Sequence, residues 1–288
     1  MATPYHSRSN SLPSRQHPIA SQIDDNLSRL RASEAASTSS SSSSIGHKLN
    51  GLQDLHECVD MFLQLPLTQQ ALVQEQHRRC AEELLDESLM ILDVCSVAKD
   101  ALMQKKECTQ ELQSIFRRRR GDEMGHLNGV KKYLTSRKAV KKVIIKALKN
   151  LKQTKTKFNT CSNNGNENGA VISILREVEE VTIRELESFL SFISGLEAES
   201  KLSRWSLVSK LIHHKRVGSE EDKKTNEIAN ADATLRSLIK SDNMKHIEYV
   251  QNQLRNSELC IQDLEEGLES LFKRLIKARV TLLNILNF

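Results

Sequence analysis

The sequence predicts an all-α protein, on the basis of its composition and of one long repeat near its end. Aromatic residues make up 4% of the 288 residues, and glycine and proline number only 10 and 4. Sheets favour aromatic and β-branched residues and need turn residues at short intervals, so these counts favour long helices. Over residues 250–285, apolar or small side chains recur in alternating steps of four and three, which is the spacing of a helical seam. We therefore predict a bundle of about five or six long helices with a disordered N-terminal arm.

The first 46 residues are predicted to form this disordered, serine-rich arm. They contain the run STSSSSSS at 37–44 and few large apolar side chains. Such a segment cannot bury enough surface to offset the entropy lost on ordering. Its arginines and serines are also typical of an organelle transit peptide, although Asp24, Asp25 and Glu34 argue against that alternative.

The helical bundle domain is predicted to span residues 47–288, with internal loops at 157–170 and 214–226. LQDLHECVDMFLQL, which begins at Leu52, places its apolar residues on one helical face, and Pro66 then marks a break. A second helix is expected from about Gln69. The following EELLDESLMILDVCSVAKDALM predicts a buried helix whose apolar side includes Leu85, Leu89, Leu92 and Leu102.

The middle of the chain contains two predicted helices separated by loops. Gly121, Gly125 and Gly129 indicate a turn before the helix VKKYLTSRKAVKKVIIKALKNLKQ. The stretch NTCSNNGNENG is typical of a loop, and ISILREVEEVTIRELESFLSFISG predicts a helix that ends near Gly195. WSLVSKLI is a shorter apolar piece before a charged linker.

The terminal seam is compatible with a coiled coil between chains or with a helix packed on its own bundle. Further apolar residues widen the stripe beyond the seam, and a wide stripe favours the bundle. These residues are Leu259, Phe272, Ile276, Leu283 and Leu286. The pattern does not determine an oligomeric state.

Charge is distributed unevenly along the chain. Residues 117–157 contain fifteen lysines and arginines against two acidic residues, whereas residues 47–116 contain six against twelve. On a helical wheel centred on Val140, the residues Val143, Ile144, Ala147, Leu148 and Leu151 lie on one side and lysines lie opposite. The predicted basic surface comprises Arg117, Arg118, Arg119, Arg120, Lys138, Lys141, Lys142, Lys146 and Lys149, with Lys152 on the same arc.

Three interpretations of this basic surface remain open. It is a solvated face of a bundle helix, a contact for an anionic membrane, or a nuclear import or nucleic-acid element. Proteins that bind nucleic acids usually interleave aromatic residues for stacking, and this segment offers only Phe116, Tyr133 and Phe158. Nucleic acid is therefore the least favoured partner.

No sequence motif indicates catalysis. Walker A, GxGxxG, GxSxG and HExxH patterns are absent, and no cofactor or metal site is predicted. His77 and Cys80 have the spacing of metal ligands, but without a second pair we expect a surface histidine and a buried cysteine. We predict a protein that is not an enzyme.

The compartment is predicted to be intracellular. The six cysteines are scattered without a CxxC pair, and no secretory apolar run or 18-residue apolar stretch is present. We expect reduced thiols and a location in the cytoplasm or at a membrane periphery, with the nucleus and the plastid as alternatives.

The arm contains a candidate phosphorylation and docking motif within RSNSLPSR. Arg8 precedes Ser11 by three residues, as basophilic kinases prefer, and Ser9 and Pro13 complete the form R-S-x-S-x-P. Phosphorylation of Ser11 would add nearly two negative charges. Such phosphopeptides are bound by arginine clusters in 14-3-3-type proteins, so we predict protein partners of this kind.

Several long phrases of the sequence are similar to a known plant family. They include YHSRSNSLPSRQHP, LHECVDMFLQLPLTQQAL, LQSIFRRRRGDE and CIQDLEEGLESLFKRLIKARVTLLNILNF. From residue 5 to residue 288 the chain resembles the family known as domain of unknown function 241, which is related to the Bypass proteins. The resemblance implies an α-helical plant protein linked to root and shoot development, and it implies no catalytic residues.

Overall fold

The computed structural model describes residues 17–36, 41–118, 123–155, 169–195, 226–241 and 247–287. Within these ranges the chain forms eight helices and no strand, which confirms the predicted all-α bundle. The helices are α1 (Pro18–Ala36), α2 (Ser42–Leu63), α3 (Pro66–Val73), α4 (Glu75–Arg118), α5 (Glu123–Lys155), α6 (Gly169–Ser194), α7 (Glu227–Ser241) and α8 (Ile247–Asn287).

The bundle begins earlier than the sequence predicted. Helix α1 buries Ile23 and Leu27, and the serine run supplies Ser41, whose side chain caps α2 by accepting a hydrogen bond from the Ser44 backbone N–H. The boundary of the disordered arm at residue 46 is therefore wrong. Few apolar residues are present in α1, but they share one face of the helix, which sparse composition does not reveal.

A helix was predicted from about Gln69, whereas the structure has α3 from Pro66 and α4 from Glu75. Pro66 occupies the first turn of α3, where a missing N–H costs nothing, and Gln74 separates α3 from α4. Leu84 and Ile91 of α4 are buried whereas Leu89 is exposed. The buried face of α4 is thus rotated from the predicted one.

Helix α5 starts at Glu123, so the predicted turn around Gly125 and Gly129 is wrong. A Cβ atom on Gly129 would lie 3.0 Å from Ile115 Cδ1 and 3.2 Å from Leu112 Cδ1. Gly129 therefore serves close packing between α4 and α5 instead of a turn.

The terminal seam forms the axis of the bundle. Ten of its eleven positions are buried in α8, which packs along α2 and α4 of the same chain. Ala278 is half-buried, while Leu259 and Ile276 are exposed and do not widen the buried stripe. The seam is thus used within one chain.

Helices α6 and α7 meet at a defined junction. Gly195, with φ of +64°, ends α6, and Asn226 caps α7 by accepting from the backbone N–H groups of Ile228 and Ala229. The Asn226 side chain also donates to Phe192 O at 2.8 Å. None of the described helices has the length and hydrophobicity needed to cross a bilayer.

Candidate docking surface

Helix α5 has a buried inner face built from residues three and four positions apart. This spacing puts one side of the helix against α4 and α6. The buried residues are Val130, Tyr133, Arg137, Val140, Ile144, Ala147 and Leu151.

The opposite side of α5 carries a row of exposed lysines, which we call the basic face. It comprises Lys131, Lys138, Lys142, Lys146 and Lys149, all exposed. At a rise of about 1.5 Å per residue the row is about 27 Å long. Lys141, which was predicted with this group, is half-buried at its edge. Lys131 was not predicted, although it shares the arc of Lys138 and Lys142.

The lysines of the basic face form no ion pair with any described residue. Their neighbour Lys132 does, with Glu111 Oε1 at 2.5 Å, and Glu123 is the one acidic residue within α5. Lysines elsewhere on the surface are paired, as shown by Lys277 with Asp60 Oδ2 at 2.7 Å. Unpaired like charges on one helix favour binding of an external anion.

Two aliphatic side chains border the basic face. Val143 is 54% exposed and Ile145 is 44% exposed. The prediction that Val143 belongs to the buried side is wrong, because the buried arc is centred between Val140 and Arg137 and leaves Val143 beyond its edge.

The arginine run begins at the end of α4. Arg117 and Arg118 are exposed, while Phe116 is buried and contacts the His126 ring edge-to-face at 5.1 Å between centroids. This contact fixes the end of α4 against the first turns of α5. Arg119 and Arg120 lie outside the described residues, as do Arg8, Ser9, Ser11 and Pro13 of the arm motif.

A buried ion pair on the inner face joins α5 to α7. Arg137 donates from Nη2 to Asp232 Oδ2 at 2.7 Å and from Nε to Oδ1 at 3.0 Å. Tyr133 donates its hydroxyl to Asp232 Oδ1 at 3.1 Å. The side chains of Arg137 and Asp232 are 4% and 7% exposed, so one carboxylate is held by three donors away from water.

A buried lysine lies near this pair. Lys105 of α4 donates from Nζ to the backbone oxygen of Ile193, at the end of α6, at 2.5 Å. Burial and then the positive charge of Arg137 hold the pKa of Lys105 well below its ordinary value. Lys105 and Arg137 were not predicted as buried, although each lies in phase with apolar neighbours on its helix, which is the signal that could have found them.

Other buried polar groups link the remaining helices. Lys48 of α2 pairs with Glu185 of α6 at 2.9 Å, and His56 Nε2 lies 2.9 Å from Thr182 Oγ1. Burial, together with the charge of Arg274, lowers the pKa of His56 to about 4. These pairs lie between packed helices and have structural roles.

The predicted surface histidine is in fact buried. His77 lies inside and Cys80 is half-buried, so the two expectations are wrong. In the part of the chain that is described, no group of three or more His, Cys, Asp or Glu side chains could hold a metal ion.

Comparison with known proteins identifies one family. The profile described as Protein BPS1 matches residues 48–285. No match was found among curated proteins or among solved structures. The matched segment covers most of the chain, from within α2 to near the end of α8. The chain therefore belongs to the Protein BPS1 family, the Bypass-related plant family that its sequence phrases predicted, and this membership points to a regulatory role in plant development.

Proposed function

We propose that the protein is a non-enzymatic regulatory interaction protein of root and shoot development, which docks an acidic surface of a protein partner on the basic face of α5. The observation that carries this proposal is that five exposed lysines share one side of a packed helix without a described counter-ion. A helix fixed by its buried side presents these charges on an ordered backbone, so binding requires no further ordering of the main chain.

The buried polar groups support a binding role over a catalytic one. Arg137 and Asp232 bind each other, and Lys105 binds the backbone oxygen of Ile193. These groups therefore join packed helices and do not line an open cleft among the described residues. Family membership agrees, because this is a regulatory family without an enzymatic activity.

The test compares two charge-reversed proteins in plants that lack the endogenous protein. K138E/K142E/K149E reverses the charge of three of the five lysines of the basic face, and R78E/R79E/R255E makes the same change of charge at exposed arginines elsewhere. We expect the control to restore root and shoot growth and the α5 variant to fail. Full rescue by the α5 variant would exclude the basic face as the functional surface.

A second candidate is a peripheral membrane protein that binds anionic lipid through residues 117–157. The specific observation in its favour is the exposure of Val143 and Ile145 beside the lysines, since aliphatic side chains can enter the headgroup region while lysines contact phosphates. Co-sedimentation with phosphatidylcholine vesicles containing about one third phosphatidylserine tests it. Binding that falls with salt and with V143S/I145S supports the membrane role, and no pelleting at low salt removes it.

We further propose that the arm is regulated by phosphorylation of Ser11. Arg8 and Pro13 supply the flanking residues that a basophilic kinase and a 14-3-3-type reader prefer. A peptide of residues 5–18 phosphorylated at Ser11 should recover 14-3-3 proteins, and its unmodified twin should not. Equal recovery by both peptides would refute this part of the proposal.

A further inference from the structure

Helix α7 lies in the outer layer of the bundle over a groove. Its inner side places Leu235 and Leu238 in a small apolar cluster with Leu112, Phe116, Val130, Tyr133, Val250 and Leu254, which is separate from the main core. Its outer side exposes Ala233, Arg236 and Ser237. The groove beneath α7 is therefore made by α4, α5 and α8, and α7 fills it.

The floor of this groove requires an anion. Arg137 and Lys105 are both buried there, and among the contacts described Asp232 of α7 is the carboxylate that faces Arg137. Without Asp232 the guanidinium of Arg137 would remain buried without an opposite charge, which is strongly unfavourable. Any helix that occupies the groove must therefore bring an acidic group to this point.

Helix α7 does not satisfy the floor completely. Within the described part of the chain, Nη1 of Arg137 is buried and has no hydrogen-bond partner, although Nε and Nη2 both donate to Asp232. A buried donor left without a partner costs free energy. A ligand with a further acceptor at this point would bind the same guanidinium more completely than α7 does.

Helix α7 is attached to its neighbours through side chains, which include Glu227 accepting hydrogen bonds from the backbone N–H and hydroxyl of Ser42 in α2. It is 15 residues long, close to the length below which an isolated helix is marginal in water. Thirty residues separate Gly195 from Asn226, and five separate Ser241 from Ile247. Among the described residues, the contacts that hold α7 are those of its own side chains and of its cap.

We propose that α7 is a displaceable occupant of this groove, and that the groove binds an amphipathic helix of a partner protein that carries a carboxylate at the position of Asp232. The partner helix would repeat the spacing of Ile228, Asp232, Leu235 and Leu238, which places one acid among three apolar anchors on a single face. This surface is the inner side of α5 and is independent of the basic face.

The probe for this proposal is a fluorescein-labelled peptide of residues 226–241, which mimics such a helix. The receptors are two full-length variants with a weakened resident helix: D232N, which keeps the shape of the side chain, and L238A, which keeps the acid. We expect the peptide to bind both variants at least about tenfold more tightly than wild type, since the resident helix competes at high effective concentration. A peptide carrying D232N should bind at least about tenfold more weakly, because the floor selects an acid.

A reversible lock supplies the control. A Cβ atom at Gly195 would lie 3.8 Å from Ala229 Cβ, the separation typical of a disulfide. G195C/A229C added to L238A should bind the peptide when reduced and not when oxidised, and any strain at position 195 is common to both states. Absence of binding to both weakened variants would overturn the proposal. So would equal binding to the oxidised and reduced lock, or equal binding of the acidic and D232N peptides.

Discussion

The two faces of α5 use the same kind of charge in opposite ways. On the inner face, Arg137 is almost fully buried and its guanidinium is held by Asp232. On the outer face, Lys138, Lys142 and Lys149 are exposed and pair with no described residue. The comparison teaches that exposure, and not charge alone, decides whether a cation holds the fold together or remains available for a partner.

The physical reason is desolvation. A buried ion pair contributes little net stability, because removing two charges from water offsets their attraction, yet breaking it is costly because one charge remains buried alone. An exposed lysine loses no hydration on folding and contributes little. Substitutions on the two faces should therefore differ sharply in their effect on stability.

Removal of Asp232 should have the largest effect. D232A leaves Arg137 buried without its carboxylate, so we expect the free energy of unfolding to fall by about 3–5 kcal/mol. Urea unfolding followed by circular dichroism measures this. The matched substitution on the outer face, K142A, should change it by less than about 0.5 kcal/mol. Similar losses in both variants would contradict the distinction between the faces.

A buried ionisable group should also make stability depend on pH, as the exposed lysines cannot do near neutrality. His56 has its pKa lowered from 6.5 to about 4 by burial and by Arg274, so the unfolded chain binds more protons between these values. The contribution of His56 to the free energy of unfolding is complete above pH 6.5 and is lost as the pH falls toward 4. The loss is about 2 kcal/mol by pH 5.

The variant H56Q isolates this contribution. Burial and hydrogen bonding to Glu87 raise the pKa of Glu179, which gives the opposite pH dependence in both proteins. The difference between wild type and H56Q, measured by urea unfolding at pH 7.5 and pH 5, should therefore shrink at the lower pH. A difference that stays constant would show that His56 is not the group concerned.

Exchange of arginine and lysine should separate the two faces with no change of charge. R137K keeps the cation but loses the paired Nε and Nη2 donors to Asp232, and we expect a loss of about 1–3 kcal/mol. K142R has no partner to lose and should be neutral within about 0.5 kcal/mol. Thermal unfolding of the two variants side by side measures the contrast, and equal midpoints would contradict it.

Much of the fold could be predicted from periodicity. The seam of α8, the exposed lysines of α5 and the end of α6 at Gly195 all follow from side-chain spacing or from one residue's backbone preference. These features are local, so a single sequence contains the information that they need.

The features that were missed depend on neighbours distant in the sequence. Helix α1 was predicted to be disordered because the prediction relied on overall composition and not on the position of its few apolar residues. Gly129 was assigned to a turn, although it allows close contact with Ile115. The Arg137–Asp232 pair joins residues 95 positions apart, and no local pattern connects them. The sequence places these basic residues on one helix, but only the packed structure shows that Arg137 is the one paired with Asp232.

Whether the outer face of α5 is a binding surface can be tested by measuring the unfolding free energy of K138E/K142E/K149E together with its ability to restore growth. We expect this variant to stay within about 1 kcal/mol of wild type in stability and to fail to restore root and shoot growth. Full restoration of growth, or a loss of stability as large as that expected for D232A, would contradict the conclusion that the outer face of α5 serves binding and not folding.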